Sequence, residues 1–241
     1  FGVCSVIAML AIGEGASREA QQQIKQLGSQ NIIIQSVKPP QNTSTSSETS
    51  RVNAYGLKYV DARRIKQTVP NIEMIVKSRK VRQTIIRGSR RIDTNLVGTG
   101  PLFRTAMNAK TAKGRFFSDL DVDASRNVCV LGADAETRLF PLGDSLGSIV
   151  RTAKKRYVVI GVLRPVARKG ASTKIKGTPD ADIYIPFSTM QGLYGDTVLS
   201  RSSGSFSAER VELHEIVVKV RERDEVLRTA GVIRSIMQQG H

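Results

Sequence analysis

The feature that most constrains this chain is the stretch VCSVIAMLAIGEGASREAQQQIKQLG, residues 3 to 28, which begins as a membrane segment and finishes as a water-compatible helix. From Phe1 to Gly13 no side chain is charged. At a helical rise of about 1.5 Å per residue that run covers about 20 Å, whereas a bilayer core requires roughly 20 apolar residues. Val6, Ile7, Met9 and Leu10 therefore fit the second half of a transmembrane helix whose first half is missing. Glu14, between two glycines, falls where such a span would reach the interface. Beyond it Ala16, Ala20, Ile24 and Leu27 keep a helical rhythm, polar residues fill the other faces, and Gly28 stands where a left-handed helix stop is expected. The pattern predicts a membrane helix continuing into a stalk over residues 1–28. The competing reading, the apolar core of a secretory signal peptide, calls for a small-residue cleavage site followed by mature chain, and here the helix runs straight on.

A chain of 241 residues can bury a sizeable core. After residue 13 no apolar run is long enough to cross a membrane. The formal net charge of +16 raises nucleic acid, anionic lipid or an acidic polymer as partners. Against nucleic acid, the Lys and Arg are scattered, Trp is missing, and neither an RNA-binding aromatic signature nor a zinc-finger spacing occurs. A diffuse solvated surface is the simpler account. Cys4 and Cys129 form no CxxC and are not expected to pair.

Local patterns set an order of elements. NIIIQSV (31–37) is an apolar, β-branched run and predicts a buried strand, and PPQNTSTSSETS (39–50) predicts a loop. In LKYVDARRIKQTVP (57–70), Leu57, Val60, Ile65 and Val69 lie near helical spacing, and Pro70 ends the helix. IEMIV (72–76) predicts another strand, and VRQTIIRGSRRIDTNLVG (81–98) two strands about a turn at Gly88 and Ser89. From Pro101 to Gly204 the strands shorten: NVCVLG, SIVRT, RYVVIGVL and DIYIP, with one short helix at ADAETRLF and a basic loop at RKGASTKIKGTPD (168–180). After the Ser/Gly-rich SRSSGS, HEIVVKV (214–220) predicts a strand. DEVLRTAGVIRSIMQ (224–238) predicts a helix with Val226, Ala230, Ile233 and Met237 on one face. The simplest topology is an α/β unit made from both ends of the chain, with a β-rich segment inserted between them and the two terminal helices side by side.

Catalytic motifs are sparse. His214 and His241 are the only histidines, so a His-based triad or a metal site would have to be assembled from almost nothing, and no catalytic residue, metal or cofactor is expected. VGTGPL (97–102) lacks the third glycine of a dinucleotide fingerprint and predicts a turn; no phosphate loop occurs. SDLDVDAS (118–125) has half the acids of a calcium loop without its Gly or terminal Glu, and predicts a solvated turn.

In order, AIGEGASREAQQQIKQLGSQNIIIQS (11–36), LVGTGPLF (96–103), GRFFSDLDVDASRNVCVLGADAETRLFPLGDSLGSIVR (114–151), YVVIGVL (157–163) and DIYIPFSTMQ (182–191) resemble the extracytoplasmic core domain of ABC transporter permeases of the macrolide-exporter (MacB-like) type. The resemblance implies an α+β fold: a membrane-proximal α/β (porter-like) part over 29–100 and 205–241, interrupted by a β-rich (sabre-like) part over 101–204, and flanked by stalk helices. It implies a place on the periplasmic side of a bacterial inner membrane. The implied partners are an ABC ATPase subunit or domain, a second permease copy forming a dimer, a periplasmic adaptor and an outer-membrane channel. It further implies a non-enzymatic role, passing ATP-driven conformational change across the membrane to export or extract a substrate or to signal a partner. Two rivals are a basic module binding nucleic acid or an anionic surface, and a secreted enzyme behind a signal peptide. The high positive charge departs from the family.

Overall fold

The computed structural model describes residues 30–37, 52–165, 179–195, 197–202 and 205–240. The expectations for Val6, Ile7, Met9, Leu10, Glu14, Ile24, Leu27 and the 39–50 loop fall outside these residues. No helix among the described residues is long and apolar enough to cross a membrane.

The architecture is α+β. Its strands are β1 (Asn31–Gln35), β2 (Val52–Ala54), β3 (Ile72–Arg87), β4 (Arg90–Thr99), β5 (Thr111–Gly114), β6 (Val128–Leu131), β7 (Ile149–Arg151), β8 (Arg156–Leu163), β9 (Ile183–Pro186), β10 (Thr197–Ser202), β11 (Ser205–Arg210) and β12 (Glu215–Val220). Its helices are α1 (Tyr59–Thr68), α2 (Phe103–Ala106), α3 (Asp119–Asp123), α4 (Ala133–Leu139), α5 (Phe187–Tyr194) and α6 (Val226–Gly240). Nine strands form one sheet in the order β1-β12-β3-β4-β9-β6-β8-β5, with β7 bridging β3 and β8. A second sheet, β10-β11-β2, joins residues 197–210 to 52–54.

The sheet does not stop at residue 100. β4 pairs in parallel with β9, Leu96 opposite Ile183 and Gly98 opposite Ile185, and β9 pairs antiparallel with β6. The core is shared in the same way. Val81, Ile85 and Leu96 pack with Cys129, Leu131, Tyr157, Val159 and Ile183 in one cluster. Because successive strand residues point to opposite faces, Val97, Val130, Tyr184 and Val217 serve the other face, against Phe103, Ala106, Phe116 and Phe117. A third cluster sets Leu57, Ala62, Ile65 and Val69 against Leu213, Ile216, Val218 and Ile233.

Three local expectations need correcting. IEMIV and VRQTIIR are parts of one strand, β3, because the intervening KSRK stays extended and buries Ser78 and Arg79 completely. Val60 is 53 % exposed: α1 turns Ala62 and Ile65 inward, and Leu57 precedes the helix in an isolated bridge to Leu213. SDLDVDAS is a capped helix rather than a solvated turn. Ser118 donates to the Asp121 carboxylate through its N–H at 2.9 Å and its hydroxyl at 3.0 Å, burying that carboxylate.

Candidate functional site

The first candidate site is the junction where the two halves of the chain meet. β1 lies antiparallel to β12, from Asn31 opposite Lys219 to Gln35 opposite Glu215. The ladder closes at its end with the Val220 N–H donating to the Gln30 carbonyl at 2.9 Å, and the Gln30 side-chain amide donating to the Arg221 carbonyl at 3.1 Å. Arg221 in turn donates its N–H to the Asn71 carbonyl at 3.1 Å, and the Asn71 amide donates to the Glu225 carboxylate at the start of α6. The segment entering at Gln30 and the segment leaving through α6 are thereby tied to the same end of one sheet.

The α6 face predicted from periodicity is the one turned towards the body of the domain. Ile233 is 3 % exposed, packed in the cluster of α1 and β12, while Val226, Ala230 and Met237 are half-buried. Thr229 is buried as well, and Leu227 on the opposite side is exposed. Any pairing of this face with Ile24 and Leu27 lies outside the described residues.

The second candidate site is a cleft of about 570 Å³ between α1, β3 and α5. Its apolar part is Ala62, Ile75 and the rings of Tyr59 and Phe187, which meet edge to face with centroids 6.1 Å apart. Its polar part is Arg63, Lys66, Lys77 and Gln191, all exposed. Lys77 Nζ lies 5.7 Å from the centre of the Phe187 ring, within reach of a cation–π attraction. Helical spacing puts Arg63 and Lys66 on one side of α1, and strand alternation puts Ile75 and Lys77 on the same face of β3. Sequence reasoning missed this site, since its lining comes from three separate elements; the i, i+3 pair of cations on α1 was the one signal available.

Two buried carboxylates shape the electrostatics elsewhere. Asp121 is held well below the usual carboxylate range, chiefly by hydrogen bonds from Arg115 at 2.6 and 3.3 Å, with Ser118 adding to the effect. Burial pushes Asp182 up to about 6, partly offset by a hydrogen bond from Asn95 at 3.0 Å and by the charge of Lys80, which itself pairs with Glu215 at 2.9 Å. Cys129 is fully buried and burial pushes its thiol up, which makes it an inert core side chain. Among the described residues no group of three His, Cys, Asp or Glu side chains is placed to hold a metal ion.

Comparison with known proteins gives the chain relatives. The macrolide export ATP-binding/permease protein MacB of Nitrobacter winogradskyi is 28 % identical over 243 aligned positions, covering all of this chain and 33 % of that protein. The corresponding protein of an Azoarcus species is 31 % identical over 188 positions, 78 % of this chain and 27 % of its own length. The pyoverdine export ATP-binding/permease protein PvdT of Pseudomonas aeruginosa is 28 % identical over 193 positions, 78 % of this chain and 26 % of its own. The chain thus spans a third or less of the length of these relatives. In fold, it is similar to the crystal structure of the periplasmic region of MacB from Actinobacillus actinomycetemcomitans, with a TM-score of 0.62 at 19 % identity over 90 % of this chain and 86 % of that one. The extracellular domain of the ABC-type transporter YknZ from Gram-positive bacteria follows with a TM-score of 0.53 at 20 % identity, over 72 % of this chain and 78 % of that one. The family model of the MacB-like periplasmic core domain matches residues 1–236, and the chain belongs to that family.

Proposed function

We propose that this domain is the extracytoplasmic part of an ABC transporter permease and that its work is mechanical. It sits on the periplasmic side of the inner membrane. Residues 1–28 supply the end of a membrane helix and a stalk, and α6 leads back towards the membrane. An ABC ATPase, fused or separate, drives the membrane helices, and two copies of the permease move their domains together to push a substrate onward or to signal a partner. A periplasmic adaptor and an outer-membrane channel complete the export route. In this reading 29–100 and 205–241 form the membrane-proximal part and 101–204 the outer part.

The observation that carries this reading is the junction of Gln30, Asn71, Arg221 and Glu225, which ties both membrane-directed segments to one sheet end. A displacement of the two segments is then delivered to a stiff sheet rather than absorbed in a loop. Rigid-body motion of packed elements is a common way to transmit such a change.

The test uses the complete transporter reconstituted in vesicles, with four glycines inserted between Glu222 and Arg223, where the side chains are exposed. ATP hydrolysis should persist while transport falls severalfold, because the lever is severed and the motor is not. Unchanged transport, or parallel loss of hydrolysis and transport in a normally assembled protein, would overturn the relay.

A further inference from the structure

The relay makes no use of the cleft between α1, β3 and α5, and its chemistry is specific enough to name an occupant. Three cations stand around it, Arg63 and Lys66 on α1 and Lys77 on β3. No ion pair with a described residue engages any of them. The acids of this corner are directed elsewhere: Asp61 accepts the Lys58 N–H at 2.8 Å, and Glu212 accepts the Tyr59 N–H at 2.8 Å. Below the cations lie two aromatic rings at right angles, with room for a small molecule; sites for such ligands commonly measure about 300–1,000 Å³ and combine an apolar lining with a few placed polar groups.

We infer that this cleft binds a free amphiphilic anion, an aromatic or short acyl group seated on Tyr59 and Phe187 whose carboxylate, sulfonate or phosphate head is held by Arg63, Lys66 and Lys77. The apolar group takes up the exposed area of the rings, and the head meets the three like charges that line the cleft. Gln191 offers the head a neutral donor from α5. A cleft walled by two helices and the sheet admits a whole small molecule, whereas the flat surface of a bilayer or an extended acidic polymer meets only its rim.

The experiment needs no transporter, so its failure is distinct from failure of the mechanical reading. The 241-residue chain is titrated with the fluorescent sulfonate 8-anilinonaphthalene-1-sulfonate and, in parallel, with N-phenyl-1-naphthylamine, which has the same rings and no charge. The sulfonate should bind one per chain and weaken as salt rises. Lys66→Glu with Lys77→Glu should weaken it about tenfold, equivalent to about 1.4 kcal/mol, and leave the neutral probe within about twofold. Phe187→Ala should weaken both probes. Free dodecyl phosphate below its micellar concentration should displace the sulfonate. Displacement only by phosphatidylglycerol vesicles, or only by polyglutamate, would overturn the assignment. So would sulfonate binding that ignores the charge reversal, or equal loss of both probes in the charge-reversed variant when it keeps the wild-type Tm. If the double reversal lowers Tm, Lys66→Gln with Lys77→Gln replaces it, with the same ordering of the two probes required.

Discussion

The carbonyl of Gln30 accepts the N–H of Val220 at 2.9 Å, so the outermost strand of the large sheet is held by a strand formed near the far end of the chain. α6 follows shortly after that junction, and its two sides are unequal, Ile233 packing on α1 and β12 while Leu227 stands exposed.

Truncation should expose the inequality. Ile233, 3 % exposed among Leu57, Ile65, Val69 and Ile216, should cost about 2–4 kcal/mol when changed to Ala, from lost burial and the cavity left behind. Leu227, 87 % exposed, should cost less than about 0.5 kcal/mol by the same change. Urea denaturation of the two variants measures the difference; equal losses would show that the helix is not seated by this face.

Gly161 offers a sharper steric test. A Cβ at this position would run into the backbone carbonyl of Arg115, a residue pinned beside β8 by its N–H donating to the Ile160 carbonyl at 3.0 Å, so there is little room to retreat. Gly161→Ala should destabilise the fold by about 3 kcal/mol and lower Tm by several degrees. Gly192, with open space around it, should accept Ala without loss.

Asp182 should leave a signature in the pH dependence of stability. Its carboxyl binds a proton more tightly folded than unfolded, with a pKa of about 6 against an ordinary 3.8. Its contribution is fully present below about 3.8 and is lost as pH rises through about 6. Two pKa units correspond to about 3 kcal/mol. Asp182→Asn keeps an oxygen for the Asn95 amide and removes the buried charge. It should match wild type at pH 4 and exceed it at pH 8 by up to that amount. Chemical denaturation at the two pH values gives the comparison, and a constant offset would exclude Asp182 as the source.

Asp121 should behave in the opposite sense. Its carboxylate accepts from Arg115 and Ser118, and its depressed pKa gives stability that is present above the ordinary 3.8 and fades as pH falls below it. Asp121→Ala should cost about 2 kcal/mol at pH 7, with the gap to wild type narrowing in acid. Tm measured from pH 7 down to pH 3 would show whether it does.

How much of this was legible in the sequence depended on how local its cause is. β6, β8, β12 and α6 stand close to where β-branched runs and helical periodicity predicted them, because one face of each meets the core along its whole length. The hairpin at Gly88 was equally plain, since its positive φ suits glycine. The continuity of β3 was hidden by KSRK, whose charges suggest solvent although Arg79 is fully buried. The role of Asp121 was hidden because an acidic cluster does not announce which member will meet Arg115 six positions earlier. The cleft was the least visible. Tyr59, Lys77 and Phe187 share no periodic pattern, and only the parallel pairing of β4 with β9 brings α5 alongside β3.

The pairing of β1 with β12 also sets an order of assembly. Among the described strands β1 has no neighbour but β12, and the side chains of Gln35 and Glu215 meet across 180 positions of sequence. As the chain is made, this strand must wait for about 180 further residues before that edge is satisfied. During that wait it presents open N–H and C=O groups to any strand that passes. Among the described strands β12 is the clasp for this edge, and until it is made β1 must be kept apart from other chains.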